Sequence, residues 1–411
     1  MKTIPATSCF RRALCALVFV AGSSAFGAAV TFYAAGELPG GDYFSQFRDA
    51  ARTPAGILAV GTLARYSPES PGDTSAMWTP ATGWRLLASN FPLNPAQSFV
   101  AARVIALGGR VIGGSTRTAA LGNSRAPCFW TNNGTTVTEL GYLGGAGFPN
   151  VGLNCLSADA SVAYGFTRWS GGPNGSFRYT AAGGMVSLGT LHPGDDTCGP
   201  SAHAVSSDGR VMLGNSYNRN LPFQGLSAFR YTYTGAGPTG GTMIALPALP
   251  NGTFTFTLAL TPDAATAIGV SDSAGFPNGQ LVRWDKHGHV RGLGSPNIAL
   301  YFVNLGGVTV DGKVVAVSLA DFVTEANGVC YIHNSKGWFN LQTIISNAGV
   351  DLTGWTLDTI TGMSSDGRLV YGSGQHNGKG EAWVTDFAKG YLRAYGDDDN
   401  EDSDPEEGRD D

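Results

Sequence analysis

Short apolar runs separated by polar turns recur along the chain from about residue 40 onward, and one version of this pattern is repeated seven times. In its clearest form an alternating strand leads into an Asp turn, and a short apolar strand follows with a Gly six residues after the Asp. The copies that keep both residues are Asp159 with Gly165, Asp208 with Gly214, Asp263 with Gly269, and Asp366 with Gly372. A period of about 50 residues is typical of repeat architectures.

The other three copies are partial. Repeat six keeps Asp311 but has Val317 at the later position, whereas repeats one and two keep the later Gly, as Gly61 and Gly114, and lack the Asp. A second landmark, an aromatic residue in the next strand, recurs at Trp78, Trp130, Tyr179, Tyr231, Trp284, Tyr331 and Trp383. The two landmarks together predict seven structural units between residues 30 and 395.

Each unit is predicted to contain four short antiparallel strands. In repeat four, residues 202–206 and 211–214 are joined by a type I′ turn at Asp208-Gly209, and residues 228–231 form a third strand. Repeat three shows the fourth strand at residues 185–188. Four such strands cannot bury both faces of their sheet, but sheets stacked around an axis can. The fold prediction is an all-β protein, a β-propeller of seven four-stranded blades, rather than a solenoid with much shorter repeats or a two-sheet sandwich.

Two elements are predicted beside the repeats. Residues 31–33 and the turn after them resemble the end of a repeat, so the N-terminal segment is expected to supply a strand to the last blade. Residues 341–348 are predicted to form a short helix, with Asn340 as its N-cap and Gly349 at its C-terminal end.

The two ends of the chain differ from the repeats. Residues 1–28 combine a positive leader, an apolar run and small residues, which is typical of a secretory signal peptide. Residues 396–411 hold ten Asp or Glu and one Arg, and this composition predicts a disordered, solvated tail. Without both ends the chain has 21 acidic and 22 basic residues, so the body has no cationic footprint for nucleic acid. We expect an exported protein, periplasmic or extracellular, that does not insert into the membrane.

Four cysteines remain once the predicted signal peptide is removed, namely Cys128, Cys155, Cys198 and Cys330. An oxidising compartment permits one or two disulfides among them, and four cysteines allow three pairings. Cys155 and Cys198 both precede an Asp turn in neighbouring repeats, which favours that pair. The alternative is that the thiols are free and buried as small apolar groups.

Several of these segments resemble a known family. The stretch 188–194, which reads Leu-Gly-Thr-Leu-x-Pro-Gly, the stretch 206–211 around Asp208, and Ala228-Phe229-Arg230-Tyr231 are similar to bacterial extracellular HAF repeats, named for a His-Ala-Phe tripeptide. The stretch from Gly337 to Gly372 also resembles the closing part of such proteins. Ser227 stands where the tripeptide has His. The resemblance covers nearly all of the chain after residue 28 and implies an exported, propeller-like protein, with no defined activity.

No pattern predicts a catalytic, cofactor or metal site. The repeated Asp residues lie in tight turns and are interpreted as turn caps. His287 and His289 flank a predicted hairpin and supply only two of the ligands that a metal needs. Residues 235–240 match a GxGxxG phosphate loop, but they join two predicted antiparallel strands rather than a strand and a helix. The acidic tail lacks the spaced carboxylates of a calcium loop.

The strands before the Asp turns are expected to face the central channel, and they carry mostly small or apolar residues. The nearby charged residues are Asp42, Asp49, Asp358, Arg48, Arg52 and Arg103. Paired carboxylates for general acid and base work are not evident among them. An enzyme is therefore the second hypothesis, in the form of a secreted carbohydrate-active hydrolase or lyase.

The first hypothesis is an exported, non-enzymatic binding or surface-interaction module. In a four-stranded blade the second loop and the link between blades lie on one face of the ring, and these segments are the long, variable ones. Candidate binding residues on that face are Arg65, Tyr66, Arg168, Trp169, Tyr217, Arg219, Phe223, Phe276 and Phe322. The ligand is unknown, with a glycan or a surface protein as alternatives, and we expect a monomer without a cofactor. A purely structural envelope protein is the third hypothesis.

Overall fold

The computed structural model describes residues 29–38, 43–65, 72–89, 98–99, 101–118, 124–143, 150–168, 175–191, 201–217, 225–235, 237, 240–321 and 328–397. These residues form seven sheets, each built on four antiparallel strands, so the protein is a seven-bladed β-propeller. The first strand of each blade contacts the first strand of the next, and the seventh contacts the first. These seven inner strands surround the central channel of the ring.

The described chain begins with β1 (Val30–Ala34), and blades 1 to 4 follow in order from inner to outer strand. Blade 1 is β2 (Tyr43–Thr53), β3 (Gly56–Arg65), β4 (Gly72–Thr79) and β5 (Gly83–Leu86), with β6 (Ser98–Phe99) paired in parallel to β4. Blade 2 is β7 (Ala101–Ala106), β8 (Val111–Thr118), β9 (Ser124–Thr131) and β10 (Thr136–Glu139). Blade 3 is β11 (Asn150–Leu156), β12 (Val162–Arg168), β13 (Gly175–Thr180) and β14 (Gly184–Ser187). Blade 4 is β15 (Ser201–Val205), β16 (Val211–Tyr217), β17 (Leu226–Tyr233) and β18 (Gly241–Ala245).

The remaining strands complete the ring. Blade 5 is β19 (Thr255–Leu260), β20 (Thr266–Ser273), β21 (Phe276–Asp285) and β22 (Val290–Gly294). Blade 6 is β23 (Tyr301–Val308), β24 (Val315–Ala320), β25 (Val329–Asn334) and β26 (Gly337–Asn340). Blade 7 is β27 (Trp355–Met363), β28 (Leu369–His376), β29 (Lys379–Phe387) and β1. The helices are α1 (Leu341–Asn347) and α2 (Tyr391–Ala394), with a 3-10 turn at Leu107–Gly109.

The two ends of the propeller meet in blade 7, which confirms the predicted closing strand. β1 pairs antiparallel with β29, so that Val30 lies opposite Phe387. Past the end of β1, the Gly36 N–H donates to Glu381 Oε1 at 2.6 Å. The predicted helix is also confirmed, because the Asn340 side chain accepts from the backbone N–H of Thr343 at the start of α1.

The repeated Asp caps the turn between the first two strands of blades 3 to 7. In each turn a Ser or Thr hydroxyl two residues before the Asp donates to its carboxylate at 2.5 to 2.7 Å. The same carboxylate accepts the backbone N–H two residues later, at 2.9 to 3.1 Å. The predicted type I′ turn at Asp208 is wrong, since of the two residues only Gly209 has a positive φ. The side-chain hydrogen bonds instead favour an ordinary turn with the left-handed residue after it.

The later Gly of the repeat is explained by a β-bulge in the neighbouring inner strand. In blade 1 Phe47 lies opposite Gly61 and Asp49 opposite Val60, which leaves Arg48 as an extra residue. A Cβ on the repeated Gly would lie 1.8 to 2.1 Å from a carbonyl oxygen of the bulged strand in blades 1, 2, 3, 5 and 7. Only glycine fits this close approach. The extra residues, called the bulge residues below, are Arg48, Arg103, Asn154, His203, Leu258 and Thr361.

The aromatic landmark lies in the third strand but changes register around the ring. In blades 1 to 5 it pairs two residues before the later Gly, as Trp78 does with Ala59. In blades 6 and 7 it pairs at the position of that Gly, as Trp383 does with Gly372. The recurrence of one aromatic residue per repeat therefore hides a shift of two residues in its pairing, which keeps the side chain on the same face of the sheet.

Neither helix in the described part of the chain has the length and hydropathy that crossing a membrane requires. Cys128, Cys155 and Cys330 are buried free thiols, while Cys198 lies outside the described residues, so the proposed pairing stays a prediction. The described residues end at Asp397, whose carboxylate is 2.6 Å from Lys336 Nζ. The predicted signal peptide and residues 398–411 of the acidic tail are not described.

Candidate functional site: the central channel

The bulge residues of four consecutive blades are polar. Arg48, Arg103, Asn154 and His203 come from the inner strands of blades 1, 2, 3 and 4, and each occupies the same position relative to its bulge. All four side chains are half-buried. We call these four residues the polar arc. On the other side of the ring, blade 5 has the buried Leu258 and blade 7 has Thr361 at this position.

Arg103 affects the pKa of His203, another member of the polar arc. Burial, with a smaller contribution from the positive charge of Arg103, lowers the pKa of His203 to about 4. These two residues belong to blades 2 and 4, which are separated by blade 3. We therefore interpret the two side chains as facing the space inside the ring.

The hydrogen bonds around His203 fix its tautomer. The side-chain oxygen of Asn215 accepts from the backbone N–H of Thr257 at 2.8 Å and from its hydroxyl at 3.1 Å. The Asn215 amide nitrogen therefore faces His203, with 3.3 Å to Nε2. Because an amide nitrogen can only donate, Nε2 is the acceptor and Nδ1 carries the hydrogen of the neutral ring.

Asp49, next to the bulge in blade 1, links three blades. Its carboxylate accepts the Ile105 N–H of blade 2 at 2.7 Å, the Tyr371 hydroxyl of blade 7 at 2.8 Å, and its own neighbour's N–H from Ala50 at 2.8 Å. Burial nevertheless raises the pKa of Asp49 to about 6, since the three hydrogen bonds only partly offset the loss of hydration.

Asp358 is the second acid of the inner strands. It is the extra residue of an additional bulge in β27, between Leu357 and Thr359. Burial raises its pKa, while a hydrogen bond from Gln375 acts in the opposite direction. Arg52, which the sequence also placed near the channel, forms an ion pair with Asp386 of blade 7 and so joins two blades.

Sequence reasoning placed Arg48 and Arg103 near the channel but missed Asn154, His203 and the common position of all four, because it treated the inner strands as regular. In a regular strand alternate residues point to opposite faces, and the small, apolar residues found there predict an inert wall. A bulge inserts one residue outside that alternation and redirects its side chain. The signal that was available is the repeated Gly, because a Gly in a strand often marks a bulge in the partner strand.

The predicted binding face is described only in part. Arg65, Arg168 and Tyr217 end the second strands of blades 1, 3 and 4, so their backbone positions lie on one face of the ring, as expected. Phe276 begins the third strand of blade 5 and is half-buried. The other candidates lie outside the described residues, namely Tyr66, Trp169, Arg219, Phe223 and Phe322. Their role stays a prediction.

Two other motifs have structural roles. Asp285 Oδ1 accepts the backbone N–H groups of His287 and His289, and its Oδ2 is 2.8 Å from His289 Nδ1, so this carboxylate caps the hairpin. Among the residues that the structure describes, no group of three or more His, Cys, Asp or Glu side chains is arranged for a metal. The GxGxxG segment joins the antiparallel strands β17 and β18, as predicted for a loop.

Solved structures share the fold. The β-propeller domain of the Trilobed protease from Pyrococcus furiosus, which has an open velcro topology, matches 86% of this chain and 97% of that domain, with 10% identity and a TM-score of 0.52. A prolyl endopeptidase matches with 11% identity and a TM-score of 0.53, and a puromycin hydrolase with 14% and 0.51. These two matches cover 85% and 80% of this chain but only 51% and 50% of the enzymes, so the chain spans about half of their length. No family model and no curated protein matches the chain. At such identities the similarity shows the propeller fold alone.

Proposed function

We propose that this chain is an exported, non-enzymatic binding module of the HAF type, whose ligand occupies the central channel and contacts the polar arc. The observation that carries the proposal is the placement of Arg48, Arg103, Asn154 and His203 at one position of four consecutive blades. Ligand sites are concave, and a small number of placed polar groups in them fix the orientation of the ligand.

The test is a thermal-melting screen of the chain from residue 29 against neutral and charged glycans and peptides. A ligand that binds only the folded state adds about 2.7 kcal/mol of stability at 100 times its Kd. We expect Asn154→Ala to abolish the stabilisation by any ligand found. Phe276→Ala, on the predicted binding face, is the control and should leave it unchanged. The reverse result would move the site from the channel to that face.

The alternative function, a carbohydrate-active hydrolase or lyase, is supported by one observation. Asp49 and Asp358 both lie on inner strands and both have raised pKa values through burial. Acids with raised pKa values in a concave site are candidates for proton transfer. Turnover of any glycan that is lost in both Asp49→Asn and Asp358→Asn, with binding retained, would establish the enzyme. Binding without turnover in the parent protein supports the binding module.

A further inference from the structure

We propose that a cavity between blades 4 and 5 binds a small zwitterion of the dipeptide class, with the ligand carboxylate on Arg230 and its ammonium group at the rim. The cavity has a volume of about 500 Å³ and is lined by the first turns of both blades. Volumes of about 300 to 1,000 Å³ are usual for small-molecule sites. No bulge residue lines this cavity, so the site is separate from the channel and goes beyond the function proposed above.

Arg230 is one of three arginines at the same position of neighbouring blades. Arg178, Arg230 and Arg283 lie in the third strands of blades 3, 4 and 5, each opposite the residue before the repeated Gly. Arg178 lies over the ring of Tyr233 in blade 4, with its Cζ 3.9 Å from the ring centroid. Arg283 donates to the carbonyl oxygen of Gly312 in blade 6. In blades 3 and 5 the next blade therefore holds the guanidinium group.

Arg230 differs from the other two because blade 5 holds its guanidinium group in neither way. Its Nη1 atom is buried and has no hydrogen-bond partner among the described residues. Tyr233, which covers Arg178, stands two residues after the aromatic landmark of blade 4, and Lys286 stands at that position in blade 5. Lys286 also lines the cavity, so a second cation replaces the covering ring. A buried donor without a partner is destabilising, and an anion bound there would remove that penalty.

The charges around the arginines point to the same conclusion. Burial lowers the pKa of both Arg230 and Arg283, but the carboxylate of Asp311 raises that of Arg283 in return. Burial is the one cause that acts on Arg230 within the described part of the chain. Arg stays protonated at pH 7 and binds a carboxylate through two parallel hydrogen bonds. The inner end of the cavity therefore suits a carboxylate.

The exposed side of the cavity carries two acids. Asp208 and Asp263 each use Oδ1 to cap their turns. The hydrogen bonds from the Ser206 hydroxyl and the Ala265 N–H lower the pKa values of Asp208 and Asp263 respectively, so both are charged at pH 7. Two carboxylates at the rim repel a polyanion and attract an ammonium group. One carboxylate and one ammonium group in the same molecule match this arrangement.

The distribution of burial favours a dipeptide over a free amino acid. Val211 and Ala264 are buried beside Arg230, whereas Asp208 and Asp263 are exposed. A free amino acid carries both charges on one carbon atom. A dipeptide separates them by a peptide unit, so its carboxylate can lie at the inner end while its ammonium group lies at the rim. Small apolar side chains suit the Val and Ala of the wall.

The experiment is calorimetric titration of the chain from residue 29 with L-alanyl-L-alanine. The comparison ligands are its C-terminal amide, its N-acetyl derivative, L-alanine and inorganic phosphate. We expect the dipeptide to bind and the amide to bind about tenfold more weakly or worse, because it lacks the carboxylate. The N-acetyl derivative should bind about threefold more weakly, since its ammonium group would have met exposed carboxylates.

Three variants test the residues. Arg230→Gln should weaken binding of the dipeptide by about tenfold or more. Arg283→Gln is the matched control at the same position of blade 5; Arg283 does not line the cavity, so the affinity should stay within about twofold. Lys286→Gln changes an exposed side chain and should weaken binding about threefold. Melting curves show whether each variant folds, and Lys286→Gln decides the matter if Arg230→Gln does not.

Four results would overturn the inference. Equal affinity for the dipeptide and its amide would mean that no carboxylate is recognised. Equal losses in Arg230→Gln and Arg283→Gln would place the ligand outside this cavity. Tighter binding of L-alanine or of phosphate than of the dipeptide would assign the cavity to another class of ligand. Silence from all five compounds would reject a zwitterion site, and it would leave the channel to be tested by its own screen and by Asn154→Ala.

Discussion

Blades 4 and 6 have the same order of four strands but differ in how their first two strands pair at the position of the repeated Gly. In blade 4, Gly214 lies opposite Ala202, and the next residue, His203, is the bulge residue. In blade 6, Val317 stands at the Gly position, faces Gly306, and has no extra residue beside it. The irregularity of blade 6 comes earlier, where residues 303–305 face one residue of the second strand.

The difference shows that the repeated Gly and the bulge form one unit. Where the second strand has a Gly, the carbonyl of the inner strand can move into the space of the missing Cβ, and one side chain is released from the alternation. Where the second strand has Val317, that space is filled, and Gly306 on the opposite strand gives room instead. A residue in one strand thus decides where the neighbouring strand carries its extra residue.

The largest expected effect comes from placing Ala at the repeated Gly position, both in a blade that has the bulge and in blade 6, which lacks it there. Gly61→Ala puts a Cβ about 2.0 Å from the carbonyl oxygen of Gln46, and the other close atoms are also backbone, so side-chain movement cannot relieve the clash. We expect a loss of about 3 kcal/mol in the free energy of unfolding, together with the loss of the Arg48 bulge. Denaturant unfolding of the purified variant measures it.

Val317→Ala is the matched control in blade 6. It removes two buried methyl groups without a clash, and we expect a loss of about 2 kcal/mol with the register retained. If Gly61→Ala costs less than Val317→Ala, the Gly is not required by the bulge.

The second prediction is that Asp49 and His203, which lie at the bulges of blades 1 and 4, change the stability of the protein with pH in opposite directions. The pKa of Asp49 is raised from 3.8 to about 6, so its contribution to stability is present below pH 4 and is lost as pH rises through 6. The pKa of His203 is lowered from 6.5 to about 4, so its contribution is present above pH 6.5 and is lost as pH falls through 4. The two effects oppose each other between pH 4 and 6.5.

Replacing either residue alone should therefore change the pH dependence of stability, in opposite directions for the two variants. Relative to the parent protein, Asp49→Asn should lose more stability when the pH is lowered from 7 to 4.5, and His203→Gln should lose less or gain. Thermal midpoints at several pH values measure both slopes. An unchanged profile in Asp49→Asn would show that this carboxyl titrates normally in the folded protein.

The smallest expected effect concerns the turns of blades 3 and 6. Gly312 in blade 6 has φ of 69°, and Ala160 takes the same conformation in blade 3 with φ of 56°. The three atoms nearest to a Cβ on Gly312 would be those of Thr266 at 3.3 to 3.5 Å, so the cost of Gly312→Ala is mainly backbone strain of about 1 kcal/mol. Ala160→Gly should gain up to about the same amount. Chemical unfolding of both variants tests this, and changes of equal sign would contradict it.

The sequence was enough to predict the ring but not its channel. Asp208 and its equivalents marked the hairpins, and Asn340 marked the helix, because turn and cap chemistry is local. The turn type at Asp208 was predicted wrongly because the hydrogen bond from Ser206 to its carboxylate competes with the type I′ geometry. His203 was missed because a bulge changes the facing of a residue through pairing with another strand, and pairing register is not local.

The closing of blade 7 by β1 also sets an order of folding. Six blades consist of consecutive chain and can form as it is synthesised, but Gly36 and Glu381 must meet across 345 residues. Bringing such distant segments together costs on the order of 5 kcal/mol of chain entropy. This cost falls only when the blades between them have folded. Until that contact forms, the edge of β29 is unpaired. The β1 strand of a second molecule can then occupy it, so intramolecular closure competes with strand exchange at high protein concentration.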